Sequence, residues 1–355
     1  MKTGGIMEKR ICKNSGLELS VLGLGCWSFG GGSYWGDRDQ KDVEEIVKAS
    51  FDLGINYFDT AEVYNEGRSE ISLGQAIQGI PRDKIVIGSK VSPSNCYPEV
   101  LVQHCEDSLK RLQTDYLDLY MIHWPIHPHS LHHYTDDEQI INNPPSMAET
   151  YETLMKLKQQ GKIRHFGVSN FGSPRLDELP DLNKVAINQL PYNLLCRAVE
   201  YDVLDTCARN GIGVVGYMGL MQGILTGKFP DFDSIPPKRR RTRHFHHKRT
   251  EECRHGEEGC EAETSQALQD IRNICEETGY SMTEISIKWV IANPLITCTL
   301  VGASSIGQLE ENVKAVEEPL PQDIVEALNK ATQPVKEALG NHIDIFEGAR
   351  NDRTI

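Results

Sequence analysis

Four polar side chains in this sequence have the types and order needed to move a proton onto oxygen. Asp59 and Tyr64 lie in F-D-T-A-E-V-Y, Lys90 closes V-I-G-S-K, and His123 follows L-Y-M-I. A free phenol has a pKa of about 10 and parts with its proton reluctantly near neutrality. An ammonium beside it favours phenolate and lowers that barrier. Lys90 can supply the charge, and Asp59 can hold Lys90 charged and in place. Tyr64 can then protonate a carbonyl oxygen as hydride arrives at carbon. His123 can orient that oxygen and stabilise its developing charge. Singly, each residue has an ordinary reading as a turn cap, a solvated strand end or a satisfied buried histidine. Their succession at the ends of consecutive apolar runs is what points to chemistry.

The runs that must position them are 21–25, 57–61, 85–90, 116–124, 163–170, 185–193, 213–220 and 298–304. Several are continuous rather than alternating, as in strands buried on both faces. Helical patterns lie between them. Residues 39–53 carry Val43, Ile46, Val47, Ser50 and Phe51 on one face, and Gly54 stops them. Residues 99–112 and 147–160 read the same way, the second stopped by Gly161. Eight such units predict an α/β fold, a closed (β/α)8 TIM barrel, as a single domain over 1–355 with its core near 20–320. Consecutive strands are neighbours in a barrel, so the four side chains should converge at its C-terminal mouth. An open doubly wound sheet is the alternative, but it should carry G-x-G-x-x-G. Gly23 and Gly25 give only G-L-G-C-W.

Three stretches break the period. Residues 10–12 and 18–20 around 14–16 predict a hairpin before the first barrel strand. Residues 125–146 and 229–262 predict long loops after the fourth and seventh barrel strands, on the face where function usually sits. Trp27, Trp35, Trp124 and Tyr192 flank strand ends and are candidates to line an apolar substrate pocket.

A net charge of −14 argues against general affinity for nucleic acid or anionic membranes. No apolar run approaches the roughly 18 residues that span a bilayer, and residues 1–14 lack an apolar signal core. The expectation is a cytoplasmic enzyme acting on small molecules, with a homo-oligomer left open. Ten cysteines without a C-x-x-C pair suit reduced thiols. His127, His129, His132 and His133 crowd one long loop, and Cys253, His255 and Cys260 the other, but the cysteine spacing fits no common zinc pattern, and no metal is expected.

The motifs F-D-T-A-E-V-Y, S-K, I-H-W, G-K-I-R-H-F-G-V-S-N-F, Q-L-P-Y-N-L-L, L-T-G-K-F and G-A-S-S-I-G-Q-L-E-E-N, in this order, resemble the aldo-keto reductase family from about Leu22 to Asn312. The resemblance implies the same barrel, NADP-dependent carbonyl reduction, and a tetrad of Asp59, Tyr64, Lys90 and His123. It places the nicotinamide amide against Ser169, Asn170 and Gln189, with Tyr217 stacking on the ring and Leu220 nearby. Ser304, Gln308, Glu311 and Asn312 match positions contacting the adenosine end, where Gly302 ends a strand and a helix N-terminus favours phosphate. Many relatives carry Lys or Arg among the positions of 304–308 to pair with the 2′-phosphate; this chain has none. The resemblance favours NADPH and leaves NADH open.

Residues 238–254 form a basic island: Lys238, Arg239, Arg240, Arg241, Arg243, His244, His246, His247, Lys248, Arg249 and Arg254. In similar enzymes the loop after Lys228 covers the cofactor pyrophosphate, and Arg240 roughly matches a phosphate-contacting arginine. Arg240 and Arg243 are therefore expected to clamp it. The tail 335–355 is expected to cross the barrel mouth. His123 favours a carbonyl reductase, since double-bond reductases with this pattern carry Glu there and potassium-channel beta subunits carry Asn. A non-catalytic cofactor-sensing subunit and an epimerase or isomerase with tightly held cofactor are the competing readings.

Overall fold

Apolar runs without polar alternation need both strand faces covered, and the computed structural model, which describes residues 7–355, achieves this by closing the sheet on itself. A short antiparallel hairpin comes first, β1 (Lys9–Ile11) with β2 (Glu18–Ser20). The barrel strands are β3 (Leu22–Gly25), β4 (Tyr57–Asp59), β5 (Val86–Val91), β6 (Leu117–Ile122), β7 (Ile163–Ser169), β8 (Val185–Pro191), β9 (Gly213–Tyr217) and β10 (Cys298–Val301). They follow one another round the ring in chain order, all parallel, and β10 closes onto β3 with Val301 opposite Leu24. The expected eight-stranded barrel with an N-terminal hairpin is therefore present.

Its interior is a packed core. Tyr57, Leu119, Met121, Ile187, Val215 and Leu300 fill it, and Cys12, Leu17 and Leu19 of the hairpin close its base. Tyr57 needs space from its neighbours: a methyl group on Gly88 would lie 2.8 Å from its hydroxyl, and one on Gly23 would lie 2.9 Å from its ring. A second, larger apolar layer lies between strands and outer helices.

The helices start where local chemistry dictates. Gln40–Asp52 begins at Asp39, whose side chain accepts from the Lys41 amide, and Met147–Gln159 begins at Ser146, which accepts from the Glu149 amide. The 125–146 stretch is not one irregular loop: it contains the short helices Pro128–Leu131 and Glu138–Asn142, with N-caps His127 and Asp137. The 229–262 stretch carries three 3-10 turns, and its final residues open the helix Glu261–Thr278. The tail expected from residue 335 begins later, because the helix Gln322–Leu339 runs through it. Beyond that helix the chain packs Ile343 and Ile345 into the core, and the amide of Gly172 donates to the carbonyl of Thr354. No helix among the described residues is long and apolar enough to cross a membrane.

Candidate active site

Successive strand ends bring the four polar residues together. Asp59 ends β4, Lys90 lies in β5, His123 follows β6, and Tyr64 sits in the turn after β4. The Lys90 side chain is completely buried, and its ammonium donates to Asp59 Oδ2 at 2.7 Å, to the Thr60 carbonyl at 2.8 Å and to Tyr64 Oη at 3.3 Å. Asp59 Oδ1 also accepts from Tyr57 Oη at 2.9 Å and from Gln189 Nε2 at 2.8 Å. The carboxylate is thereby fixed on three sides, and it fixes the ammonium.

His123 lies edge-on to Tyr64, with ring centroids 5.6 Å apart. Burial, then the charges of Lys90 and Arg353, hold its imidazole well below the usual histidine range. The ring is neutral at physiological pH, able to donate one hydrogen bond but carrying no charge. Tyr64 itself is half-buried. Burial, then the Asp59 carboxylate and Cys26, push it well above the ordinary tyrosine value. The resting group is a firmly protonated phenol. The ammonium 3.3 Å away acts on the phenolate as that charge forms. Burial pulls Lys90 down from its ordinary value, and Asp59 is the main group opposing this.

The turn that carries Tyr64 is tied to β5 by Glu62. This buried carboxylate accepts from the Ser92 amide (2.8 Å), Asn95 Nδ2 (2.9 Å) and His104 Nδ1 (2.7 Å). Glu62 is held below the usual carboxylate range by His104, against its own burial, and His104 is raised chiefly by that same hydrogen bond. The two shifts agree on an ion pair.

Above the tetrad opens a cavity of about 870 Å³. Asp59, Tyr64 and His123 line it, as do Ser169, Asn170, Gln189, Tyr217, Leu220, Lys228, Gly302, Ser304, Gln308, Glu311 and Asn312. Tyr217 Oη donates to Asn170 Oδ1 at 2.7 Å, and Asn170 Nδ2 donates to the His123 carbonyl at 3.0 Å, so these residues form one network with the tetrad. Asn170, Met218 and Gln222 hold φ of 66°, 59° and 52°. This left-handed backbone is uncommon outside glycine, and here it gathers at the cavity rim.

The basic island is placed differently from expectation. Arg240 does not face the cavity: its guanidinium donates to the Ile235 and Asp233 carbonyls. Arg243 is buried against Glu257 at 2.7 Å. Arg249 pairs with Asp233 and Glu261, and Arg254 with Glu347. Arg241, which meets Glu252 at 3.7 Å, and these three arginines are thus paired within the loop and the tail. Within the island, Arg239 is the arginine that lines the cavity, beside Lys228. A methyl group on Gly223 would meet Lys228 Nζ at 2.9 Å and Arg239 Nη1 at 3.0 Å.

Among the aromatic candidates, Trp27, Trp35 and Trp124 line the cavity. Tyr192 does not: it is buried outside the ring, stacked on Trp289 at 5.1 Å and bonded to Glu200 and Asn293. It follows β8 in step with the outward Leu190 rather than the inward Gln189, and the two-residue period of a strand was the signal that could have excluded it. Sequence reasoning also missed Phe346, Asp37 and Arg38, which line the cavity from the tail and from the loop after β3. Arg353 of the tail stacks 3.7 Å over Trp124 while pairing with Asp344.

The histidine-rich stretch is structural in its contacts. His127 caps a helix, and His133 meets Glu347 at 3.2 Å. Among the described residues no three His, Cys, Asp or Glu side chains are grouped to hold a metal ion, and the ten cysteines are all unpaired.

Comparison with known proteins gives the same picture as the geometry. Residues 21–333 match the model of the Aldo/keto reductase family. The chain is 32% identical to "Aldo-keto reductase YhdN" of Bacillus subtilis (strain 168), over 86% of this chain and 87% of that protein. It is 29% identical to the "NADH-specific methylglyoxal reductase" of Escherichia coli (strain K12), over 87% of this chain and 94% of that protein. Among solved structures, an aldo/keto reductase from Klebsiella pneumoniae in complex with NADP and acetate superposes with a TM-score of 0.67 at 28% identity, covering 91% of this chain and 95% of that one. The chain belongs to the aldo-keto reductase family.

Proposed function

We propose that this protein reduces aldehyde and ketone carbonyls, sugar-derived ones included, reversibly to alcohols, with NADPH preferred to NADH and Tyr64 as the proton donor. One observation carries the reading: a buried ammonium lies 3.3 Å from a half-buried phenol and is locked there by Asp59 at 2.7 Å. Bound nicotinamide supplies the hydride. Tyr64 gives its proton to the carbonyl oxygen, and Lys90 stabilises the phenolate left behind. Neutral His123 donates a hydrogen bond to the same oxygen. In the reverse direction the phenolate takes the proton back from the alcohol.

Residue chemistry along the cavity suits a dinucleotide. Ser169, Asn170 and Gln189 offer the donors and acceptors that a carboxamide needs. The Gln189 amide nitrogen is engaged with Asp59, so its carbonyl would be the acceptor. Lys228 and Arg239 would meet the pyrophosphate, with Arg239 in the role expected of Arg240. Trp27, Trp35, Trp124 and Phe346 give the substrate end aromatic walls, which suits uncharged carbonyls. The NADP complex of the Klebsiella relative supports the cofactor, and the NADH-specific relative shows that the choice varies between similar proteins.

The test is a substrate panel. Purified protein with NADPH should lose reduced cofactor when methylglyoxal, short aliphatic aldehydes or aromatic aldehydes are added. Cofactor that binds and never turns over would instead support a cofactor-sensing subunit. Product without net cofactor change would support an epimerase or isomerase.

A further inference from the structure

We infer that Arg38 reads the 2′-phosphate of NADPH in this chain; the inference rests on the cavity taking a nicotinamide dinucleotide. The order of chemistry around the barrel mouth sets the direction of such a ligand. The proton machinery follows β4, β5 and β6, so the reacting ring belongs there. Lys228 and Arg239 lie beyond β9 and suit the diphosphate. The adenosine half is left the end formed after β10, where Gly302, Ser304, Gln308 and Asn312 line the cavity.

That end offers little else to hold a dianion. The hydroxyl and the amide of Ser304 both donate to Gln308 Oε1, at 2.7 and 2.8 Å, and are already engaged. No Lys or Arg lies in 302–312. The cation comes from elsewhere in the chain: β3 neighbours β10 in the ring, and the loop after β3 brings in Arg38. Its guanidinium donates to the carbonyls of Ala303 at 3.0 Å and Ser304 at 3.3 Å. Those two contacts aim the group at the turn without neutralising it.

Two of five guanidinium donors are used this way, and among the described residues the rest have no partner, leaving them to an anion. Arg38 makes no ion pair among the described residues, unlike Arg241, Arg243, Arg249 and Arg254. Asp37 and Glu311 line the same end. Without Arg38 they would repel a phosphate and accept from a ribose hydroxyl. Arg38 therefore sets the sign of the field that a 2′-phosphate meets, and so the choice between NADPH and NADH.

The experiment measures dissociation constants of NADPH and NADH by quenching of intrinsic tryptophan fluorescence, at fixed ionic strength, for the wild-type protein, Arg38→Gln and Arg38→Lys. Thermal melts of the three proteins confirm folding. Arg38→Gln should weaken NADPH about 10- to 100-fold, the scale of a hydrogen bond to a charged group, and should change NADH by less than about threefold. Arg38→Lys should restore part of the NADPH affinity. Adenosine 2′-monophosphate should compete with NADPH on the wild type and lose that ability on Arg38→Gln. Equal weakening of both cofactors, or no change in either, would overturn the assignment. A wild type that binds NADH and not NADPH would overturn it while leaving the reductase reading intact. A wild type that binds neither would overturn both.

Discussion

Asp59→Asn removes the negative charge that touches the buried ammonium of Lys90, and it should produce two effects of opposite pH dependence. The charges lie 2.7 Å apart. At an effective dielectric near 20 such a pair attracts by about 6 kcal/mol. An amide cannot replace that, and the lysine has an easier way out. Releasing its proton at pH 7, from an ordinary pKa of about 10.4, costs about 4.6 kcal/mol. This caps the penalty and agrees with the roughly 3–5 kcal/mol seen when one partner of a buried pair is deleted. Burial already draws Lys90 below its ordinary value, and Asp59 is the main group opposing this. In the variant the folded state carries neutral lysine while the unfolded state still binds the proton. Stability of the variant should therefore rise with pH from near neutrality up to about 10.4, and its deficit against wild type should shrink.

The activity deficit should run the other way. Neutral Lys90 no longer stabilises the phenolate, so kcat for carbonyl reduction should fall about 10²- to 10³-fold near pH 7. Lower pH reprotonates the lysine and should narrow that gap. Denaturant midpoints and kcat, each taken at several pH values for both proteins, check the pair of trends. A variant as stable as wild type near pH 7, or deficits that move together with pH, would refute the reasoning.

Other expectations follow from the same geometry. His123 is neutral through burial and neighbouring charge, so kcat/KM for reduction should show no imidazole titration between about pH 5.5 and 8, and His123→Ala should lower kcat about 10²-fold. His104 is raised by its bond to Glu62. The stability it contributes is therefore full below its unfolded pKa of about 6.5 and is lost as pH rises through its higher folded value. That pH-dependent loss, read from thermal melts, should disappear in Glu62→Gln. Arg239→Ala should raise the NADPH dissociation constant about tenfold, the scale of one charge-assisted contact, whereas Arg240→Ala, whose guanidinium is held by two carbonyls, should leave it within about twofold.

The legible part of this molecule was its periodic part. Asp59, Lys90 and His123 stand at consecutive strand ends, and parallel neighbours in a ring must bring such ends together. Ser169 and Gln189 were named by the family resemblance rather than by period, and they face each other across β7 and β8. Failures fell where period gives no direction. Arg239 and Arg240 are adjacent in and after a 3-10 turn, and nothing local says which one faces the cavity. Arg38 reaches carbonyls 265 and 266 residues further along the chain, a contact only ring closure creates. A motif names the ammonium beside Tyr64 but not the burial and the Asp59 charge that raise the resting phenol.

Tyr64 as the proton donor is the assignment on which the proposed reaction depends. The most direct measurement is single-turnover reduction of an aldehyde by NADPH-loaded Tyr64→Phe, with the NADPH dissociation constant taken on the same protein. The chemical step should slow by about 10²- to 10⁴-fold while cofactor affinity stays near wild type. A phenylalanine variant that reduces the aldehyde at the wild-type rate would mean that the proton comes from another group.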